Sequence, residues 1–429
     1  MPENVFVLGV DEHNERILRE LPDAGQYRFH PLLSYEEIYG EEIRLGALLD
    51  KAQRELESFD GRVDAIIGFW DFPISTLLPI LRAWHGLPGP PLEEIVKCEH
   101  KYWSRLEQQK VIDEYPRFGL VDPEHDQHPP DGVNYPLWVK PVKSFSSMLA
   151  FGVTNQEEFR DALTQIRAGI SWVGEPFDAL LEYVDLPPEI ATVGGHFCLA
   201  EEAITGQQVT LEGYRYQGEV HIYGVVDSVR YENSPSFLRY QYPSSLPTEV
   251  SLRMAEIAHE VIMGVGLDGA TFNIEFFWEP DGDTITLLEV NPRHSQSHAE
   301  LFEQVDGTSS HQVMLRLALG RDPDMPRRQG PYPVAAKWFL RRFSDGFVRH
   351  TPTTEEIDRV QREIPGSSVE VSVQAGDRLA ELHRQDAYSY RLASVWIGGA
   401  DEAELTTKFA QVAVALPFQI DNIDDEQPR

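Results

Sequence analysis

The chain is short of cysteine, of basic charge and of long apolar runs, and each shortage excludes something. Cys98 and Cys198 are the two cysteines among 429 residues. They form no CxxC pair and no disulfide framework, so a reducing, cytoplasmic setting is expected, with both thiols as small core residues rather than nucleophiles. No apolar run approaches the ~20 residues of a membrane helix. Residues 5–10 are too few for a secretory signal. The 37 Lys and Arg face 70 Asp and Glu, a formal net charge of −33. That surplus disfavours nucleic acid, whose phosphates need basic surface, and anionic membranes. The first apolar strand is not followed by GxGxxG, which removes a dinucleotide fingerprint. Lysine is the scarcer base, yet Lys97, Lys101, Lys110, Lys140 and Lys143 crowd into one short stretch. An anionic protein that holds an anionic nucleotide needs such a local cationic pocket.

What is present reads as an ordinary globular protein of two to four domains, with 41% hydrophobic and 10% aromatic residues. Apolar strands at 5–10 and 63–68 alternate with helices at 36–59 and 77–84. They predict a small α/β domain over residues 1–94, closed by Leu87-Pro-Gly-Pro-Pro91. Residues 95–325 follow: a charged helix at 92–111, a strand at 135–141, a helix at 157–167 and a short strand at 197–200. Antiparallel strands at 208–216 and 219–226 come next, then helices at 253–265 and 307–319. A Pro- and Arg-rich linker at 321–333 introduces an α+β piece over 326–429. It has strands at 334–339, 369–373 and 393–397, a helix at 402–416 and a polar, frayed tail from 421.

Thr271-Phe-Asn-Ile-Glu275 and Leu287-Leu-Glu289-Val-Asn291-Pro-Arg293 flank the turn Glu279-Pro-Asp-Gly-Asp283 and predict a β-hairpin. Alternation puts Glu289 and Asn291 on one face, and a suitable register adds Glu275. Two carboxylates and an amide oxygen on one buried face repel unless a divalent cation joins them. All-oxygen ligands suit Mg²⁺ (or Mn²⁺), which commonly carries nucleotide phosphates as well.

The Glu-Val-Asn-Pro-Arg string resembles the metal-binding signature of the ATP-grasp superfamily, and further motifs follow in that family's order. The resemblance implies an ATP-grasp fold over residues 95–325, with a mobile lid subdomain at about 135–205 between the N-terminal α/β and C-terminal α+β domains. In Cys98-Glu-His-Lys101-Tyr-Trp-Ser-Arg105, Lys101 reaches the phosphates and Arg105 shares its helix face. In Trp138-Val-Lys140-Pro141, Lys140 does the same from a strand end. The loop 143–149 covers the phosphates with Ser146 and Ser147, where the family usually has glycines. Glu201-Glu202-Ala-Ile204-Thr-Gly206-Gln-Gln208 resembles the adenine hinge. Glu201, Glu202 and Ile204 would line the base, and Gln208 would take the ribose role usually filled by Glu. Leu181-Glu-Tyr-Val184 is a competing placement of that hinge. Arg293 is the catalytic arginine of the resemblance, and Glu212, His294 and His298 are substrate candidates. Most similar is the carboxylate–amine ligase branch, which implies small carboxylate and amine substrates and no enzyme nucleophile. A phosphotransferase on the same fold and a non-catalytic nucleotide-binding protein are the alternatives. A homodimer is left open.

Overall fold

The computed structural model describes residues 2–40, 42–145, 148–382, 386 and 388–422. Ser146 and Ser147 therefore lie outside the described residues. The chain divides into two compact units. One comprises residues 1–224, 246–296 and 310–325, and the other residues 225–245, 297–309 and 326–429.

The first unit opens with β1 (Glu3–Val10), β2 (Tyr27–Ser34) and β3 (Ala65–Ile67), a parallel sheet of order β2–β1–β3. Val5 to Leu8 are all buried, the continuous apolar run of a strand covered on both faces. The helix expected over 36–59 is two helices, Tyr35–Ile38 and Leu45–Glu57. The first is closed in by a Ser34–Glu37 capping box and is too short to carry on through Gly40. The helix expected over 92–111 is likewise two, Leu92–Glu99 and Lys101–Gln108. His100 breaks them: its backbone is extended and its ring Nδ1 accepts from the Trp103 amide at 3.2 Å, an N-cap for the second helix.

A second sheet of the first unit consists of β4 (Phe118–Val121), β5 (Leu137–Pro141), β6 (Phe151–Val153) and β7 (Cys198–Glu202), ordered β4–β7–β5–β6. Helices Gln156–Gly169 and Ser171–Leu181 accompany it. The strands that follow are β8 (Gln207–Tyr216), β9 (Glu219–Arg230), β10 (Phe237–Tyr242), β11 (Ala270–Glu279) and β12 (Thr284–Asn291). Within the first unit their order is β12–β11–β8–β9, with β9 crossing into the second unit after Gly224.

The second unit carries the order β9–β10–β13–β16–β15, where β13 is Val334–Arg342, β14 is Gly346–His350, β15 is Ser367–Val371 and β16 is Tyr390–Gly399. The tail expectation is corrected only at its start: Gln419–Asn422 is strand β17, paired with β14, and residues 423–429 lie outside those described. The helix expected from Gly307 is also corrected. Gly307 is left-handed, with φ 96°, and ends helix Ala299–Asp306; a separate helix, His311–Ala318, follows.

Candidate functional site

The hairpin register decides the first question. On β11 and β12, Glu275 stands directly opposite Glu289, and Asn273 directly opposite Asn291. Like charges directly opposite are destabilising. Burial, with Glu289 adding to it, pushes the Glu275 carboxyl up to about 6. Burial also opposes the charge of Glu289, but Lys101, joined by Lys140 and Lys143, outweighs it and holds that carboxyl below its usual range. The pair thus contains one carboxylate charged against Lys101, its direct partner, and one poorly compensated. Gln208 Nε2 donates to Glu275 Oε2 at 2.7 Å and so steadies this acid. Asn291 Nδ2 donates to Asn273 Oδ1 at 3.0 Å, which leaves Oδ1 of Asn291 for a cation.

No group of three or more His, Cys, Asp or Glu suited to a metal exists among the described residues. The hairpin offers two carboxylates and an amide, and the under-compensated Glu275 is the feature that a divalent cation would relieve. The donor set therefore fits Mg²⁺ or Mn²⁺ with substrate oxygens completing the shell.

The cationic side comes from two elements. Helix Lys101–Gln108 begins where the Lys101 amide donates to Val142 O at 2.8 Å, just past the end of β5. That contact brings Lys101 and Lys140 to one small pocket, which Arg105, Glu201 and Glu289 also line. Glu201 is 2% exposed and sits between two cations, Arg105 and Lys140, the latter at 2.6 Å. Burial works against its charge, yet those cations hold its carboxyl down to about 2. Arg105 also donates to Leu288 O at 2.6 Å, tying β12 to the helix.

The hinge segment has a clear local logic. A Cβ on Gly206 would lie 2.4 Å from Trp278 O, so only glycine lets this turn press against β11. The Glu202 carboxylate accepts from the Asn134 amide at 3.0 Å and from Asn134 Nδ2 at 2.7 Å. The backbone N–H groups of Glu202 and Ala203 are used by Arg117 O and Pro136 O, each at 2.9 Å. Ile204 enters no backbone hydrogen bond among the described residues, which leaves its N–H and C=O for the edge of a base.

Arg293 is clamped by Asp71, with Nε at 2.8 Å and Nη2 at 2.6 Å from Oδ1. Burial opposes its charge, but Asp71 more than compensates and holds the guanidinium above its ordinary value. Lys143 is buried against Glu99 and lies 5.6 Å from the Phe72 ring centroid. Asp71 and Glu99 were not legible in the sequence: Asp71 is 222 residues from its partner, and no local pattern marks it.

The substrate candidates turn inward. Glu212 is fully buried and accepts from Tyr223 Oη and the Ser295 amide, both at 3.1 Å. His294 is fully buried too, its Nε2 2.9 Å from His311 Nδ1. His311 Nε2 in turn lies 2.9 Å from Asn14 Oδ1. His298 belongs to the second unit and packs edge-on against Tyr240. Both cysteines are buried, and burial raises both thiols, Cys98 to about 12, so neither is a ready nucleophile.

Residues 133–299 match the ATP-grasp domain family. A D-alanine–D-alanine ligase of Arthrobacter sp. is 26% identical over 196 residues, 43% of this chain and 45% of that protein. The large chain of carbamoyl phosphate synthase of Kocuria rhizophila is 40% identical over 68 residues, 16% of this chain and 6% of that protein. This chain thus spans less than half the length of either. Among solved structures, an L-amino acid ligase from Bacillus licheniformis superposes with a TM-score of 0.73 at 15% identity, over 98% of this chain and 99% of that one. That last likeness is one of fold, and it runs nearly end to end. The segment that carries the hinge and the facing hairpin acids, residues 133–299, is thus similar to the ATP-grasp domain family.

Proposed function

We propose that the chain is an ATP-dependent carboxylate–amine ligase that forms an amide through an acyl phosphate. The observation that carries this reading is the pairing of Glu275 and Glu289 across the hairpin, beside a pocket lined by Lys101, Arg105 and Lys140. Lys101 and Lys140 hold the ATP phosphates as point charges, which requires them to turn from Glu289 and Glu201. The Ile204 backbone reads the adenine, and Gln208 serves the ribose. Glu275, Glu289 and Asn291 would hold Mg²⁺ or Mn²⁺, which would supply charge neutralisation for the phosphoryl group in transfer. A substrate carboxylate oxygen attacks the γ-phosphorus and ADP leaves. The amine lone pair then attacks the acyl carbon, phosphate departs with the bonding pair, and the nitrogen gives up a proton. Arg293, aimed by Asp71, supplies a fixed guanidinium for the oxyanion that develops. The names of two similar proteins, an L-amino acid ligase and a D-alanine–D-alanine ligase, support an acid and an amine of amino-acid size. No helix among the described residues is long and apolar enough to cross a membrane.

The test is a panel of carboxylic acids and amines with ATP, read by ADP release and product mass. ADP should appear at full rate only with both substrates, and the product should be an amide. Hydroxylamine with the correct acid should give a hydroxamate. A stable phosphorylated product formed without any amine would make the chain a phosphotransferase instead.

A second expectation concerns the pocket. Lys140→Ala should weaken ATP binding by about tenfold or more, the loss of a charge-assisted contact of ~1.5–3 kcal/mol. Lys110, an exposed lysine of the same basic stretch, is the control. Lys408 is unsuitable as one, because its side chain is largely buried and donates to Gly398 O at 2.9 Å. Equal affinities of Lys140→Ala and Lys110→Ala, measured by calorimetry, would count against the pocket.

A further inference from the structure

Behind Pro292 and Arg293 lies a small cavity, separate from the lysine pocket and lined by helix Ile74–Trp84, the start of β11 and helix His311–Ala318. Ser75 and Arg82 are among its lining residues. They are seven apart on one helix and so share a face. Ser75 is 7% exposed, and its Oγ is buried without a hydrogen-bond partner. Arg82 Nε donates to Ile66 O at 2.8 Å. Its stem is pressed against Gly89, where a Cβ would come within 2.9 Å of Cδ. Among the described residues its Nη1 and Nη2 meet no carboxylate and no other acceptor. Burial alone lowers this guanidinium to about 10, with no acid opposing it.

The contrast with Arg293 is instructive. Both guanidinium groups line the cavity, and Arg293 is already satisfied by Asp71. Acids exceed bases by 33 in this chain, yet Arg82 has none. Arg82 is part-buried with no carboxylate beside it, and the buried Ser75 hydroxyl lacks a partner, which is costly. One small oxyanion relieves both, since a guanidinium grips carboxylate or phosphate through two parallel N–H groups.

We propose that this cavity is an oxyanion-binding site, with Arg82 as the recognition group and Ser75 as a second donor, taking a small carboxylate or inorganic phosphate. Arg82 is held in place before the anion arrives, so little side-chain freedom is lost on binding. Arg82 and Ser75 belong to neither the metal hairpin nor the lysine pocket, although the cavity also borders Arg293.

The test titrates the full chain, free of nucleotide, with sodium phosphate and separately with sodium acetate. Ionic strength is held constant with chloride, and binding is read by calorimetry. At least one anion should bind saturably, and the tighter of the two identifies the source. Ser75→Ala should weaken that binding about tenfold. It should lose no stability of its own, because it removes an orphan hydroxyl. Arg82→Lys, which keeps the charge but loses the fork, should also weaken it; if that variant does not fold, Ser75→Ala carries the test. Absence of saturable binding to the unaltered chain would overturn the proposal. So would binding untouched by Ser75→Ala, or binding abolished by Lys140→Ala, which would place the anion in the lysine pocket.

Discussion

Glu275→Gln and Glu289→Gln should each lower ATP turnover about 10³-fold or more, the loss of roughly 4 kcal/mol of metal-borne charge stabilisation. The register makes the two acids partners rather than neighbours, so neither can replace the other. Their effects on the resting protein should differ. Burial and Glu289 already disfavour charge on Glu275, so its amide variant should be no less stable than the unaltered chain in metal-free buffer. Glu289 is the direct counter-ion of Lys101, so its amide variant leaves a largely buried ammonium facing a neutral group and should be less stable. Turnover with saturating substrates and Mg²⁺, set beside urea denaturation, separates the two effects. Unaltered turnover in both variants would sink the metal assignment, whatever the stabilities.

The hairpin was legible because strand geometry is strict: a two-residue side-chain period and a Pro-Asp-Gly turn leave few registers. The lysine stretch was legible by composition, and the helix and strand ends that join Lys101 to Lys140 only needed a fold to bring them together. Partners far apart in sequence were not legible. Nothing near Asp71 or Glu99 announces Arg293 or Lys143. Elements with weak patterns were missed as well. Strand Tyr27–Ser34 has Arg28, His30 and Pro31 where apolar alternation is expected, which an edge strand tolerates. Helix Thr354–Glu363 is almost wholly polar, and its one sequence signal is the Thr353–Glu356 capping box. The break at His100 has no Gly or Pro to mark it, since a side-chain cap does the work. His294 and Glu212 flank the motifs and also hold neighbouring groups, His294 through the His311 ring and Glu212 through the Ser295 amide.

Glu201→Gln should be the most damaging single change to stability in the lysine pocket. The carboxylate is buried, and its two oxygens are shared between Arg105 and Lys140. An amide offers one acceptor and one donor, so one cation would face an N–H and lie buried without a counter-ion, a situation that commonly costs ~3–5 kcal/mol. The titration leads to a similar figure: a carboxyl lowered from 4.5 to about 2 contributes roughly 3 kcal/mol at neutral pH. The sign follows from the direction of the shift. The folded value lies below the unfolded one, so the contribution is complete above about 4.5 and is lost as pH falls through about 2. The gap in stability between the unaltered chain and Glu201→Gln should therefore be full at pH 7 and narrow steadily below pH 4.5. Guanidinium denaturation at pH 7, 5 and 3 measures it. A gap that stays constant with pH would mean that Glu201 is not charged in the folded protein, and that Lys140 and Arg105 are balanced by something else.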